Sequence, residues 1–327
     1  MSTHRLTIII PTFNRCASLE LLLYHLKDEL QIYKNDILVY ISDNASTDNT
    51  NTIIKKIAGD WPELTSHRHQ NNVGADRNFI HCVNQVQTKW FWIIGDDDLP
   101  KRGVIAKLLN QLDNRQPALL YMRSESMNLV QSADQGEPID KFQVTELDAL
   151  SFLKFVNTWM TFISSMVVNR EKLIGALQGQ QLSRFDGTSL VQLGWILPLL
   201  NTNGPFLIVL NRGILVKAGN TGGYQVLKTF GVNFPSIIME FFEGNKLFYK
   251  GIINQHITEY LPRMIWNVRF GNLGNFQPEE KNIRHLIREK LSVFALYWIT
   301  IWPIMSLPKF LAWPFYVVAR ITSKIIK

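Results

Sequence analysis

Cysteine is scarce in this chain. Cys16 and Cys82 are the only two among 327 residues, and their spacing fits neither a metal-ligand pattern nor a disulfide framework. No apolar leader precedes the run "LTIII", which begins at Leu6, so a cytoplasmic chain is expected. There is no internal repeat and no low-complexity tract. No G-x-G-x-x-G follows the first apolar run, which argues against a dinucleotide-dependent oxidoreductase. The seven histidines show no ligand spacing, and each reads as a structural or surface residue. Acidic charge is nearly absent from the end of the chain. Residues 281–327 hold eight Lys or Arg against one Glu, which accounts for the whole net charge of +7. The first 280 residues are formally neutral. A neutral body with a basic, apolar tail does not suit a nucleic-acid enzyme, whose basic groups line the working face. It suits an anionic membrane surface.

What is present is a core-forming composition, with 46% hydrophobic and 19% charged residues. The length allows one large domain, or a domain with an appendage. The first 125 residues alternate between two kinds of segment. "LTIII" (6–10), "ILVYI" (37–41), "FWII" (91–94) and "ALLYM" (118–122) are short apolar runs expected to be buried parallel strands, with a weaker strand at "LTSHRH" (64–69). Between them, Leu19, Leu22, Leu23, Leu26 and Leu30 share one helix face, and "STDNTNTIIKKIA", "GADRNFIHCVNQVQ" and "KRGVIAKLLNQL" also read as helices. The expectation is an α/β fold with a mainly parallel sheet flanked by helices. Further on, "EPIDKFQ" reads as a loop, "ALSFLKFVN" as a helix, "TFISSMVVN" (161–169) and "FLIVLNRGILVKA" (206–218) as strands, and 232–275 as helices.

Each early strand runs into polar residues at its carboxyl end, the edge where open α/β sheets bind ligands. "LTIII" ends in "PTFNR", "ILVYI" in "SDNASTDNT", and "FWII" in "GDDD"; "NNVGADRN" follows the weak strand. Thr12, Asn14, Arg15, Asp43, Asn44, Gly74, Arg77 and Asp96–Asp98 should therefore surround one cleft. Taken singly, each cluster is ordinary loop chemistry; Asp43 and Asp48, for instance, suit helix capping. Together they suggest more. Adjacent carboxylates repel one another, so an acidic triplet ending a buried strand calls for a cation. Hard divalent ions such as Mg²⁺ or Mn²⁺ take oxygen ligands from carboxylates and substrate phosphates.

The set "IIIPTFNR", "ISDNASTDNT", "NNVGADRNF" and "IIGDDD" resembles the nucleotide-sugar domain of family-2 glycosyltransferases, which have a Rossmann-like GT-A fold. "FISSMVVNRE" and "FDGTSLVQLGWIL" are similar to an abequosyltransferase-like branch that extends O-antigen units on a lipid carrier. The resemblance implies that Pro11, Thr12, Asn14 and Arg15 meet the nucleotide, that Asp43, with Asn44 beside it, contacts the base or ribose, and that Gly74 and Arg77 lie near the ribose or diphosphate. It makes the acidic triplet the DxD motif. Two registers fit: Asp96 with Asp98 as the outer pair, or Asp97 as ligand with Gly95 in place of the first aspartate. The reading adopted puts Asp97 or Asp98 on the metal and Asp96 on the sugar nucleotide. Many members carry an acidic pair where the acceptor is deprotonated. Here Thr188 and Ser189 stand in its place, and Asp186 is the nearby carboxylate. It is the candidate base, unless the departing diphosphate takes the proton and the anomer is retained.

The implied partners are a nucleoside-diphosphate sugar, a lipid-linked glycan and a membrane surface, with no nucleic acid; a homo-oligomer stays open. Trp159 and Trp195 are candidates for stacking on acceptor sugars, with core packing as the alternative. "GNTGGYQ" (219–225) reads as a donor lid or a plain surface loop. The expected organisation is a glycosyltransferase domain over 1–230 (donor half 1–125, acceptor half 126–230), a helical extension over 231–290, and a membrane-associating tail over 291–327. Residues 291–308 carry no charge, bordering on a spanning length. Pro303, Pro308, Pro314 and the dense Trp and Tyr favour an in-plane anchor on the cytoplasmic face of the inner membrane. A spanning helix and a buried helical subdomain are the alternatives. The competing functional class is a silent sugar-nucleotide-binding or glycan-binding subunit.

Overall fold

The structure is a computed structural model that describes residues 4–127, 138–217, 223–271 and 276–325. Most of "GNTGGYQ" therefore lies outside the described residues. The chain forms two compact units. The first comprises Met1–Phe152, Trp159–Gly187 and Val191–Ala218; the second comprises Leu153–Thr158, Thr188–Leu190 and Gly219–Lys327. Both cysteines are free thiols.

The first unit is built on β1 (Leu6–Thr12), β2 (Ile37–Asp43), β3 (Leu64–Arg68), β4 (Trp90–Ile93), β5 (Asp98–Pro100), β6 (Leu119–Met127), β7 (Val144–Leu147), β8 (Met166–Asn169) and β9 (Phe206–Lys217). They form one sheet in the order β3-β2-β1-β4-β8-β6-β9-β5, with β7 also paired to β9. The pairs β3–β2, β2–β1 and β1–β4 are parallel, as the alternating pattern implies. β1 lies between β2 and β4, and all seven of its residues are buried. Beyond β4 the sheet turns mixed, because β8 runs antiparallel to both β4 and β6 while β6 and β9 are parallel. Helices α1 (Cys16–Leu30), α2 (Thr50–Ala58), α3 (Ala75–Gln85), α4 (Val104–Arg115) and α5 (Ala149–Val156) are among those read from the sequence, and Arg170–Leu177 (α6) follows. The leucine face of α1 is fully buried.

The link from β4 to β5 makes the sheet curl. Five residue steps separate Ile93 from Asp98 and reach at most about 18 Å. Four strand spacings on a flat sheet would need about 19 Å. The chain spans them with a folded turn, in which Asp98 N–H donates to Gly95 O. A flat sheet is therefore excluded, and irregular register between β6 and β9 at Met122–Ser124 supplies local bending.

Two departures from the expected elements have local causes. "TFISSMVVN" is a strand only over Met166–Asn169, and Ile163–Ser165 is a 3₁₀ turn. The Ser164 carbonyl accepts from the Trp92 indole, and its hydroxyl bonds Gly95 N–H and Asp98. Those demands draw the segment out of the ladder. β5 and β7 are three and four residues long, too short for a period to register.

The second unit is helical: α7 (Phe234–Phe241), α8 (Lys246–Gln255), α9 (Leu261–Phe270), α10 (Ile283–Leu291), α11 (Trp302–Ser306) and α12 (Lys309–Ile325). Wide π turns at Thr229–Asn233, His256–Tyr260 and Tyr297–Ile301 lead into α7, α9 and α11. Pro235, Pro262 and Pro303 sit at the starts of those helices. A proline lacks the N–H and crowds the carbonyl four residues back, so a widened turn lets the chain stay helical through it. Pro303 is thus absorbed. At Pro308 the helix breaks, with Leu307 extended, and Pro314 lies inside α12. Among the described residues, no helix is long and apolar enough to cross a membrane. Leu291, Phe294, Tyr297, Ile301, Ile304, Ala312 and Tyr316 are buried, while Val293, Trp298, Ile299, Trp302, Phe310, Trp313 and Val318 are exposed. The tail therefore has one packed apolar face and one uncovered apolar face.

Where β6 and β9 begin, Ala118 N–H donates to Pro205 O, and a Cβ on Gly204 would come within 2.4 Å of the Ala118 Cβ. Gly204→Ala is expected to cost about 2 kcal/mol of stability, read as a lower urea midpoint. Adding Ala118→Gly should recover part of that loss. An unchanged midpoint in Gly204→Ala would mean that the two strands do not need this close approach.

Candidate active site

The acidic triplet is buried rather than splayed into water. Asp96, Asp97 and Asp98 are 8%, 7% and 4% exposed. Each has its own partner. Thr12 at the end of β1 donates to Asp96 at 2.7 Å, Arg15 ion-pairs with Asp97 at 2.6 Å, and Ser164 donates to Asp98 at 2.5 Å. Burial pushes Asp98 up to about 7 and Asp96 up to about 6; neighbouring carboxylates add to the shifts, while Ser164, Thr12 and Arg15 oppose them. Ser164 is a site residue to which motif reading gave no role, since the Ser164–Ser165 pair in an apolar run carries no signal of what it touches. Gly95 has a steric reason: a Cβ there would lie 2.9 Å from Asp98 Oδ2. The register with Gly95 in the first motif position thus leaves room for the Asp98 carboxylate.

The neighbouring strand end is tied in by register, since Thr12 pairs with Asp43 and Pro11 with Ser42. Asp43 is 1% exposed, and its Oδ1 accepts from Ser46 N–H at 2.8 Å. Its buried Oδ2 has no hydrogen-bond partner and lies 3.6 Å from Arg68 Nε. An orphaned buried acceptor of this kind suits an N–H or O–H from a ligand. Asn44 shapes the next loop: its Oδ1 accepts from Val73 N–H, and its amide donates to Asn72. Gly74 follows at φ 86, where glycine is favoured, and opens α3. Asn14, at φ 53, binds the α2 loop: its N–H donates to Ser46 Oγ and its Oδ1 accepts from Thr47 N–H. Asp48 accepts from the N–H groups of Thr50 and Cys16, joining the starts of α2 and α1. The structure therefore brings Pro11, Thr12, Arg15, Asp43 and the triplet together, with Asn14, Asn44 and Gly74 shaping the loops around them.

Arg77, in the first turn of α3, donates to Asp186 at 3.0 Å. The Arg77 side chain is 70% exposed and that of Asp186 31%, so the pair contributes little, roughly 0–1 kcal/mol. The two tryptophans differ. Trp159 is 45% exposed, so its ring is accessible. Trp195 is 2% exposed, on a short helix at Leu193–Ile196 whose four residues are all buried. It is a core residue, and the expectation that it stacks on an acceptor sugar is corrected: a ring so enclosed has no face for a ligand.

The donor set fits a hard divalent cation. Three buried carboxylates have the Arg15 guanidinium as their ion-pair partner through Asp97, and two of them are driven toward the protonated form. An oxygen-binding dication would replace those protons with positive charge. Asp97 and Asp98, each with one oxygen engaged by the protein, have a second for an ion.

Residues 7–146 match the Glycosyl transferase family 2 model. The abequosyltransferase RfbV of Salmonella typhimurium is 26% identical over 231 residues, covering 67% of this chain and 68% of that protein. The GalNAc(5)-diNAcBac-PP-undecaprenol beta-1,3-glucosyltransferase of Campylobacter jejuni is 26% identical over 108 residues, covering 33% of this chain and 34% of that one. Among solved structures, S. aureus TarS 1-349 in complex with UDP aligns at a TM-score of 0.61 over 99% of this chain and 92% of that one, at 15% identity. That last likeness is one of fold, and the fold is GT-A.

The raised carboxyls give a signed test. Asp98 has an ordinary value of 3.8 and a folded value of about 7. Between these the folded state holds more protons than the unfolded one, so stability falls as pH rises through that window. Metal-free protein is expected to lose about 2 kcal/mol or more between about pH 5 and pH 8, measured by chemical denaturation. Asp98→Asn should flatten the profile and raise stability at the alkaline end. A profile equally steep in the variant would place the burden elsewhere.

Proposed function

We propose that the chain, whose residues 7–146 match the Glycosyl transferase family 2 model, moves a sugar from a nucleoside-diphosphate donor to a hydroxyl of a lipid-linked glycan at a membrane surface. The observation that carries the reading is the buried triplet at the carboxyl edge of β4, tied by Thr12 to the strand position paired with Asp43, whose buried Oδ2 makes no hydrogen bond. Asp43 accepts a hydrogen bond from the base or ribose. Asp97 and Asp98 hold Mn²⁺ or Mg²⁺, and Asp96, fixed by Thr12, orients the sugar nucleotide. The bound cation would neutralise charge on the departing diphosphate. Arg77 is drawn from Asp186 to the diphosphate, an exchange made easy by the weakness of the exposed pair. Asp186, released, accepts the proton of the acceptor hydroxyl. Trp159 offers its ring to the glycan.

The uncovered apolar face of the tail supports in-plane membrane binding, with Phe310 74% exposed beside Lys309. On this reading the reaction takes place at the cytoplasmic face of the membrane that carries the acceptor.

A second reading, a silent sugar-nucleotide-binding subunit, is favoured by Thr188 and Ser189 in place of the acidic pair and by the engagement of Asp186 with Arg77. Slow donor hydrolysis with Mn²⁺, abolished in Asp97→Asn, would decide for the enzyme; nucleotide binding without turnover would decide for the subunit.

Asp186→Asn is expected to lower kcat about 100-fold or more if Asp186 is the base, with inversion seen in the anomeric proton of the product by NMR. Near-normal turnover with a retained anomer would remove Asp186 from that role. For the tail, Phe310→Ser with Val318→Ser should weaken binding to anionic liposomes about tenfold or more and leave donor hydrolysis unchanged. Unaltered liposome binding would assign this face to another partner.

A further inference from the structure

Chain alternation puts His67 and His69 on one face of the β3 edge, two residues apart, with Arg68 turned the other way toward Asp43 and the Ser46 carbonyl. The same face of β2 carries Tyr40 and Ser42, since Ser42 pairs with His67. Helix α3 contributes His81. The ring centroids lie 4.8 Å apart for His67–His69, 4.4 Å for His67–His81 and 4.8 Å for His69–His81, and one nitrogen from each ring falls within 4.8 Å of the others. Nitrogens around a tetrahedral zinc ion sit about 3.4 Å apart, so ring shifts of about 1 Å close the set. His67 is exposed while His69 and His81 are half-buried, so the site opens to solvent on one side.

Two further features match what a metal needs. A ligating ring uses its other nitrogen to bond an oxygen. His69 Nε2 lies 3.1 Å from Asn78 Oδ1, and His81 Nε2 lies 2.9 Å from the Tyr40 hydroxyl, so each ring already has one nitrogen held by a protein oxygen. Finally, the oxygens are placed in turn: Ser42 Oγ donates to Asn78 Oδ1 at 2.6 Å, and the Asn78 amide donates to the Ser42 carbonyl. His256 is a useful contrast. Both its nitrogens are engaged by protein oxygens, with Thr158 Oγ1 on Nδ1 and the Phe230 carbonyl on Nε2, as befits a satisfied core histidine.

We propose that His67, His69 and His81 form a second metal site, selective for a borderline transition ion of the zinc class and separate from the carboxylate site. Three imidazoles with an open fourth position suit Zn²⁺ and do not suit the oxygen-seeking Mg²⁺. Bound there, the ion would clamp the edge strand β3 to α3, the helix that follows Gly74 and whose first turn carries Arg77.

The test is equilibrium dialysis of the full chain against Zn²⁺ in metal-stripped buffer, with Co²⁺ absorption as a probe of imidazole coordination. One zinc per chain is expected, along with the intense visible bands of four-coordinate Co²⁺. His67→Gln, an exposed change that should leave folding intact, is expected to weaken zinc binding more than about tenfold, and His67→Gln with His81→Gln to abolish it. Asp97→Asn should bind zinc as the parent does. Absence of bound zinc, or zinc retained equally by the histidine variants, or zinc lost in Asp97→Asn, would overturn the proposal. None of these readouts depends on glycosyl transfer, so the proposal and the functional reading fail separately.

Discussion

Negative charge buried at the turn from β4 to β5 sets the terms for the rest of the first unit. Taking carboxylates out of water carries a large penalty unless each is paired. The chain meets it piece by piece: Thr12 reaches from β1, Arg15 from the start of α1, and Ser164 from the turn before β8. Each contact needs its element in place. The curl of the sheet is what lets β5 begin at Asp98 while pairing with β9, and the missing side chain at Gly95 leaves room for that carboxylate. His25 on α1 then bonds the Pro100 carbonyl and secures the far end of β5. A site assembled this way and still short of cations is poorly suited to being merely structural. Well-packed apolar residues would serve stability better.

The legibility of this arrangement followed the range of the forces involved. α1 was readable because five leucines at helical spacing had to face one core, and β1 because an uninterrupted apolar run must be covered on both sides. The carboxyl edge was readable because parallel strands force every following loop onto the same side. β5 was not, since three residues acquire strand character only by pairing with β9, more than a hundred positions later. Ser164 was invisible for a related reason: its role depends on Asp98 and Trp92, neither of them nearby in sequence. Trp195 stood as a stacking candidate beside the core reading because an indole in an apolar stretch has the same local sequence whether it is enclosed or presented. The histidines on β3 and α3 were passed over because ligand spacing is a property of one element, and here two elements supply the set.

The tail illustrates a different limit. Its prolines mark interruptions in sequence, and a strict reading would end a helix at each. The second unit instead uses π turns to lead into Pro235, Pro262 and Pro303. The helices can then keep one side against their neighbours, where Trp266 stacks on Tyr316 at 4.5 Å. Once that side is satisfied, the remaining apolar residues exceed what the unit can cover. Phe310, Trp313 and Val318 are left outside, in the part of the sequence that also holds the excess of Lys and Arg. Basic charge next to uncovered aromatic surface is a combination that water disfavours and an anionic interface rewards.

The two proposed cation sites are distinguished by donor chemistry. The triplet offers oxygen, so it suits ions that share their shell with carboxylates and phosphates. The histidine set offers neutral nitrogen, so it suits ions that accept imidazole. An ion abundant enough to fill the first has little reason to enter the second, and occupancy of one does not imply occupancy of the other. Yet the sites share supports. Asn78 bonds both Ser42 and His69, and Ser42 adjoins Asp43 on β2. His69 N–H in turn donates to the Asp43 carbonyl. A ligand alters a distant affinity only through contacts that differ between two states. Here the contacts between the histidine face and Asp43 include Asn78, Ser42, the Arg68–Asp43 ion pair and a backbone hydrogen bond. Ordering the imidazoles would therefore act on the position of Asp43 before it acted on the triplet.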